Sequence, residues 1–248
     1  VTFGLLVARA QDISLAEGID KAALELRKTN SLIATALRLL TDAPENQRAL
    51  KTSLDTLRRV LERVNWPDVT KDQPEAWLYF YESFLEVYDN ALRKRTGSYY
   101  TPPEVVAAMV SLVDEALRDP ALFGRSNGLA ACDVTIADPA TGTGTFLLGV
   151  VRRIAQTITY DQGAGAAGQA VAAAVHRLIG FELQFGPFAV AQLRLLAEMQ
   201  ALINVSGGTG GNVPALRLFV TDTLGDPFAE QAQYSSMLAP IGQSRKEA

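Results

Sequence analysis

Short apolar segments alternate with longer segments of helical periodicity in the second half of this 248-residue chain. Residues 134–137, 178–182 and 216–220 have the pattern of short strands, whereas 146–158 and 187–203 have the apolar spacing of helices. Strands that alternate with helices form parallel sheets, because each helix returns the chain to the same edge. The sequence therefore predicts an α/β fold in which a parallel sheet is flanked by helices.

Each predicted strand leads into an acidic residue. Asp138 follows the first, Glu182 ends the second and Asp222 comes just after the third. Open α/β sheets bind their ligands at the carboxyl ends of the strands, so these three carboxylates are expected to face one ligand. One such acid is weak evidence, but three in succession indicate a binding site.

A glycine-rich loop, Asp138–Thr145, joins the first predicted strand to the helix that follows it. Gly142 and Gly144 allow the backbone to approach a ligand closely before the helix begins. Two familiar nucleotide sites are excluded. A P-loop requires Lys and then Ser or Thr after its last glycine, where this chain has Thr145 and Phe146. A dinucleotide fingerprint fails because its third glycine is replaced by Leu147.

S-adenosyl-L-methionine fits the three acids better. It carries an ammonium group, a ribose diol and an adenine amine, and carboxylates can accept hydrogen bonds from all three.

Four segments also resemble, in order, the motifs of N6-adenine DNA methyltransferases: Gly97–Pro102, Asp138–Leu147, Gly180–Leu183 and Thr221–Leu224. The resemblance extends from residue 77 onward. It is closest to the enzymes of restriction-modification and phage-defence systems, in which a Tyr-Tyr-Thr-Pro segment precedes the glycine loop. It implies a partial Rossmann-like methyltransferase core.

The resemblance also implies which residues hold the cofactor. Asp138 and the glycine loop would hold the methionine end, and residues 100–102 would close over it. Glu182 would bind the ribose hydroxyls, Leu183 would flank the adenine, and Asp222 would accept from the adenine amine. The full set is Tyr100, Thr101, Pro102, Asp138, Ala140, Thr141, Gly142, Thr143, Gly144, Thr145, Phe146, Glu182, Leu183, Asp222 and Thr223.

The family's catalytic Asn-Pro-Pro-Tyr or Asn-Pro-Pro-Phe motif does not occur in this sequence. We therefore expect the chain to be the cofactor-binding part of a longer DNA adenine methyltransferase and to be inactive alone. The longer protein would methylate a flipped adenine in double-stranded DNA, with target-recognition, nuclease or helicase domains fused or associated. Two alternatives stay open: methylation of a protein or RNA, and a catalytically silent scaffold that keeps the methyltransferase fold.

The chain before residue 97 shows no alternation of strands and helices. Apolar residues recur there at helical spacing, and the aromatic-rich segment 77–88 resembles a further helix. We predict an all-helical region at 1–96 and the methyltransferase region at 97–248. Within the latter we expect a helix over 102–118 with Thr101 as its N-cap, and a loop beginning at Asp161 that leads into another helix.

Composition limits the partners of the chain. It has 23 Lys+Arg against 27 Asp+Glu and no extended basic face, so we expect this chain alone to bind DNA weakly. A single cysteine, Cys132, and a single histidine, His176, leave no disulfide and no metal site to expect. Cys132 is predicted to be buried and His176 to lie at the surface. No apolar run reaches the roughly 18 residues of a membrane span, and we expect a cytoplasmic protein.

Overall fold

The computed structural model describes residues 1–28, 31–41, 44–65, 101–205 and 215–225. The chain divides into two compact units, Val1–Ala76 with Leu224–Ala248, and Trp77–Thr223. The aromatic helix predicted at 77–88 lies outside the described residues.

The described part of the first unit is helical. Its helices are α1 (Thr2–Ala10), α2 (Ile19–Leu26), α3 (Ser31–Thr41) and α4 (Pro44–Arg63). α1 and α3 approach closely at Gly4, where a Cβ atom would lie 2.8 Å from the side chain of Leu37. The helical spacing predicted for this region is confirmed in α4, where Leu61 is buried and Val60 is exposed.

α4 also holds the connection between α1 and α2. The Glu62 carboxylate accepts hydrogen bonds from the Ser14 hydroxyl at 2.9 Å and the Leu15 amide at 2.7 Å. The Arg58 guanidinium donates to the carbonyls of Leu15 and Ala16. These bonds satisfy backbone groups that no helix pairs, so the loop is fixed without regular structure of its own.

The second unit alternates strands and helices as predicted. Its elements in chain order are α5 (Pro103–Arg118), a 3₁₀ turn (Gly128–Ala130), β1 (Ile136–Asp138), α6 (Thr145–Gln162), α7 (Ala164–Val175), β2 (Leu178–Glu182), α8 (Phe185–Val205) and β3 (Arg217–Val220). The described strands form one parallel sheet in the order β1-β2-β3. In the register, Asp138 lies beside Gly180, and Glu182 lies beside Val220. The predicted fold class is confirmed.

The core of this unit lies where α6, α7 and α8 pack together and against the sheet. α6 buries Leu147, Val151, Ile154 and Ile158, which recur every three or four residues along one face. The prediction of a loop that begins at Asp161 is wrong about its position and length, because only one residue, Gly163, separates α6 from α7. Its φ of 88° lets the chain turn sharply between two otherwise continuous helical segments.

α5 starts one residue later than predicted, and Thr101 is not its N-cap. Pro102 is the N-cap, with an extended ψ of 138° and no side-chain hydrogen bond. Its carbonyl accepts from the amides of Val105 and Val106. α5 then packs on α6 where Gly149 leaves room: a Cβ there would lie 2.8 Å from the Val106 side chain.

Cys132 is exposed, so the prediction that it is buried is wrong. The strand that follows begins at Ile136 rather than at 134, which leaves Cys132 in a turn at the surface. Arg177 ties this turn down by donating to the carbonyls of Ala131, at 2.7 Å, and Val134. His176 is exposed, as predicted.

Candidate cofactor-binding site

The carboxyl ends of the three strands are joined by hydrogen bonds between the segments that follow them. The Thr141 amide donates to the Phe181 carbonyl at 2.9 Å, and the Thr221 amide donates to the Glu182 carbonyl at 2.9 Å. The Thr223 hydroxyl donates to the Pro139 carbonyl at 3.0 Å. The glycine loop and the ends of β2 and β3 therefore form one continuous edge.

The two loop glycines serve different purposes. Both have left-handed backbones, with φ of 55° at Gly142 and 81° at Gly144. A Cβ at Gly144 would lie 3.1 Å from the Ala191 side chain, so this glycine permits close packing on α8. Among the described residues, a Cβ at Gly142 would meet only the Ala140 carbonyl, at 4.0 Å. Open space beside Gly142 is where a ligand can approach the backbone.

Glu182 connects the glycine loop to β2. Its Oε2 accepts from the Gly142 amide at 2.9 Å, and its Oε1 accepts from the Gln184 amide at 2.8 Å. A carboxylate oxygen can accept more than one hydrogen bond, so both oxygens keep capacity for ligand hydroxyls. The second predicted acid is thus brought directly to the loop.

Asp138 has a carboxylate that is only half satisfied. Its Oδ1 accepts from the Ala140 amide at 3.1 Å, whereas Oδ2 is buried and has no hydrogen-bond partner in the described part of the chain. Burial raises the pKa of Asp138, and the Ala140 hydrogen bond offsets only part of that effect. A buried acceptor without a donor is costly, and a cationic donor such as an ammonium group would satisfy it. The free oxygen is thus an acceptor of the kind that the ammonium group of S-adenosylmethionine would need.

The remaining residues predicted for the cofactor site differ in their exposure and in whether they contact the glycine loop. Thr141 is buried, Thr143, Thr145 and Phe146 are half-buried, and Ala140, Leu183, Asp222 and Thr223 are exposed. Thr101 is half-buried and Pro102 exposed at the start of α5, and no hydrogen bond among the described residues joins either to the glycine loop. The structure therefore brings the loop, Glu182 and Thr223 together but not the segment before α5. Tyr100 lies outside the described residues.

One residue that contacts the loop escaped the sequence analysis. Arg194 is 2% exposed, and its guanidinium donates to the Thr143 carbonyl at 2.9 Å and the Thr145 hydroxyl at 3.0 Å. The signal was present, because Arg194 lies between Leu193 and Leu195 inside a long apolar run. A charged residue within such a run needs a buried partner.

The described residues contain no group of three or more His, Cys, Asp or Glu side chains that could hold a metal ion. No helix in the described ranges is both long and apolar enough to cross a membrane.

The parallel sheet flanked by helices, with a glycine loop after its first strand, has the arrangement of the Rossmann-like methyltransferase fold. Residues 77–196 match the model of the N-6 DNA Methylase family. The family generally uses S-adenosylmethionine. No curated protein sequence matches the chain.

Three solved structures share the fold. DrdV in a complex with DNA is 19% identical with a TM-score of 0.61, and the alignment covers 98% of this chain and 22% of that one. The ATP-dependent Type ISP restriction-modification enzyme LlaBIII bound to DNA is 21% identical with a TM-score of 0.62, and the alignment covers 86% of this chain and 13% of that one. A nuclease-deletion mutant of the Type ISP restriction-modification enzyme LlaGI, in complex with a DNA substrate mimic, is 19% identical with a TM-score of 0.64. That alignment covers 98% of this chain and 18% of the other. The present chain thus spans about a fifth of these chains or less.

Proposed function

We propose that this chain is the cofactor-binding part of a DNA adenine-N6 methyltransferase of a restriction-modification system. The observation that carries the proposal is the buried Oδ2 of Asp138, which has no hydrogen-bond partner among the described residues and lies beside a glycine loop in a segment that matches the N-6 DNA Methylase family. The fold that the chain shares with DrdV, LlaBIII and LlaGI supports it.

The side chains at the strand ends would hold S-adenosylmethionine by donor–acceptor matching. Asp138 Oδ2 would accept from the ammonium group, and the open side of Gly142 would let the methionine end lie against the backbone. Glu182 would accept hydrogen bonds from the ribose hydroxyls while it keeps its hydrogen bond from the Gly142 amide. Leu183, which is 65% exposed, would cover one face of the adenine.

The exposed segment after β3 would complete the site at its adenine end. Asp222 would accept from the adenine amine, and Thr223 fixes that segment by its bond to Pro139. Thr101 and Pro102, together with Tyr100, would close over the methionine end. When bound, S-adenosylmethionine supplies an electrophilic methyl group on a sulfonium. The residues of this chain would position that group and exclude water from it.

The acceptor belongs to the proposal for the whole protein. The longer protein would present a flipped adenine of double-stranded DNA to the methyl group, using an Asn-Pro-Pro-Tyr or Asn-Pro-Pro-Phe motif that is not in this sequence. Its partners would be DNA and fused or associated nuclease, helicase and target-recognition domains, and it would work in the cytoplasm.

Calorimetric titration of S-adenosylmethionine into the 248-residue chain tests the cofactor site. We expect saturable binding that is weakened in both Asp138→Asn and Glu182→Gln. Asp133→Asn is the matched control, because Asp133 is an exposed carboxylate whose partner is Arg125 on the surface. Equal binding by all four proteins would remove the proposed site, and no binding by the folded chain would favour a scaffold.

The acceptor is tested on the longer protein with tritiated S-adenosylmethionine. Label is expected in N6-methyladenine of duplex DNA. Label in RNA or protein instead would contradict the proposed substrate while leaving the cofactor site intact.

A further inference from the structure

Arg194 of α8 places a buried guanidinium against the second half of the glycine loop. Its Nη1 lies 2.9 Å from the Thr143 carbonyl oxygen, 3.3 Å from the Thr143 hydroxyl and 3.0 Å from the Thr145 hydroxyl. Only 2% of the residue is exposed. Charge-assisted hydrogen bonds in so dry a setting are among the stronger contacts that a loop can have.

α8 is shaped to reach the loop. Ala191 lies one helical turn before Arg194, on the same face, and a Cβ at Gly144 would come within 3.1 Å of the Ala191 side chain. A small residue on the helix and a glycine in the loop allow the close approach. The guanidinium then spans the two threonines that flank Gly144.

The loop therefore has two independent anchors. Glu182 holds its first half through the Gly142 amide, and Arg194 holds its second half through Thr143 and Thr145. We propose that Arg194 is a positioning residue that fixes the glycine loop in the conformation that binds the cofactor. This inference depends on the proposed function for the identity of the ligand, whereas the contacts between Arg194 and the loop do not depend on it.

The contacts also set the direction of the threonine hydroxyls. Because the guanidinium has only donors, both threonine oxygens act as acceptors toward it, and their hydrogens face elsewhere. The two oxygens are 3.4 Å apart, so one hydroxyl can donate to the other. At least one hydroxyl hydrogen then remains for an acceptor outside the pair. Arg194 thus orients the loop side chains as well as its backbone.

A second arginine provides a matched control. Arg152 of α6 forms a two-point ion pair with Glu198 of α8, with both distances at 2.9 Å. This pair also fastens α8 to its neighbour, but it does not involve the loop threonines. Arg152→Met and Arg194→Met each remove one guanidinium that binds α8 to the glycine-loop side of the unit. Arg152→Met removes the ion pair with Glu198, whereas Arg194→Met removes the bonds to Thr143 and Thr145.

Hydrogen exchange of the unliganded chain tests the positioning role directly. The amides to follow are those of Gly142 and Gly144, which donate to Glu182 and to the Thr141 carbonyl. We expect Arg194→Met to speed their exchange about tenfold to a hundredfold, the loss that a charge-assisted bond predicts. Arg152→Met should lower the melting temperature without a selective change at these amides.

Cofactor titration of the same proteins supplies the second readout. S-adenosylmethionine affinity should fall about tenfold to a hundredfold in Arg194→Met, fall less in Arg194→Lys, and stay within about twofold in Arg152→Met. If Arg194→Met does not fold, Thr145→Val removes one acceptor at nearly constant shape and should show the same two effects at smaller size.

The outcomes separate the two proposals. Faster loop exchange in Arg194→Met, in a chain that binds no S-adenosylmethionine, would retain the positioning role and overturn the proposed function. Unchanged loop exchange, or equal changes in Arg194→Met and Arg152→Met, would overturn the positioning role even if the cofactor binds.

Discussion

Asp114 and Asp138 are two acids of the same unit with opposite hydrogen-bond status. Asp114 on α5 is 0% exposed, and its Oδ1 accepts from the Leu129 amide at 2.8 Å. Its Oδ2 accepts from Arg118 at 3.1 Å and from Arg153 at 2.9 Å. Asp138, at the end of β1, has one backbone donor and a buried oxygen with no partner in the described part of the chain.

The pKa values of these two acids shift in opposite directions. Burial alone would raise the pKa of Asp114, but the Leu129 amide and the two guanidiniums outweigh it, so the pKa lies below its usual range. At Asp138 burial dominates and raises the pKa. A fully paired buried carboxylate stabilises the fold, whereas a half-paired one at a strand end retains an acceptor for a ligand. Asp114 joins α5, α6 and the 3₁₀ turn, and Asp138 keeps the acceptor that we propose for the cofactor.

The largest effect is expected from Asp114→Asn. The change leaves Arg118 and Arg153, each 32% exposed, beside a neutral amide, so the loss should be at most about 3–5 kcal/mol, the cost when a fully buried ion pair loses one partner. Denaturant unfolding should show this loss near neutral pH. Because the folded-state pKa of Asp114 is lowered, its contribution is present above the unfolded pKa and disappears as pH falls through the folded value. The difference between wild type and variant should therefore shrink in acid.

A small, pH-independent loss in Asp114→Asn would show that the arginines do not depend on this carboxylate. S-adenosylmethionine affinity of the folded variant should match wild type, because Asp114 makes no hydrogen bond to the glycine loop.

Two glycines sharpen the comparison at the backbone. Gly128 and Gly142 have almost the same φ, 54° and 55°, so alanine at either position costs about 1–2 kcal/mol of left-handed strain. At Gly128 a Cβ would also lie 2.0 Å from Asp114 Oδ1, whereas at Gly142 the nearest atom of the described residues is the Ala140 carbonyl oxygen at 4.0 Å. Thermal unfolding should give Gly128→Ala a much lower melting temperature than Gly142→Ala. Equal melting temperatures would mean that the Asp114 cluster tolerates a displaced carboxylate.

Asp138→Asn should reduce binding rather than stability. Replacing the acceptor of a charged donor predicts a loss of S-adenosylmethionine affinity of about tenfold to a hundredfold. The raised pKa means that the contribution of Asp138 to stability is present below its unfolded pKa and is lost as pH rises through its folded pKa. At neutral pH the variant should therefore unfold no more easily than wild type. A destabilised variant with intact affinity would reverse the roles assigned to the two acids.

The smallest effect is expected at the surface. Arg125 and Asp133 form an ion pair at 2.6 Å with both side chains about half exposed. Exposed ion pairs contribute about 0–1 kcal/mol, so Arg125→Ala should lower the free energy of unfolding by no more than about 1 kcal/mol. Denaturant titration in low and high salt measures it. A loss as large as that of Asp114→Asn would show that burial is not what distinguishes the two clusters.

The sequence predicted the elements better than the contacts between them. Apolar runs and helical spacing located the three strands and α5, α6 and α8 to within a few residues, because these patterns reflect which face is buried. The Ala- and Gly-rich α7 was predicted only in part, since its composition gives little amphipathic signal. The N-cap of α5 was predicted one residue too early, because Pro103 disfavours the helical conformation at the residue before it and leaves Pro102 extended.

Contacts that join distant segments were out of reach of local patterns. The pairing of Asp114 with Arg153 and of Arg194 with Thr143 spans 39 and 51 positions of the sequence. Asp114 did carry a signal, because it continues the i, i+4 row of Val106 and Val110 on the buried face of α5. The acids at the strand ends were predictable because parallel topology alone places them at one edge.

The most direct test of the account is the titration of the Asp138 carboxyl by NMR, in the free chain and with S-adenosylmethionine bound. We predict a raised pKa in the free chain, since burial opposes ionisation. With the cofactor bound, the ammonium group should lower that pKa while Asp114 stays unchanged. A pKa of Asp138 that does not respond to saturating cofactor would contradict the assignment of this carboxylate to the ligand.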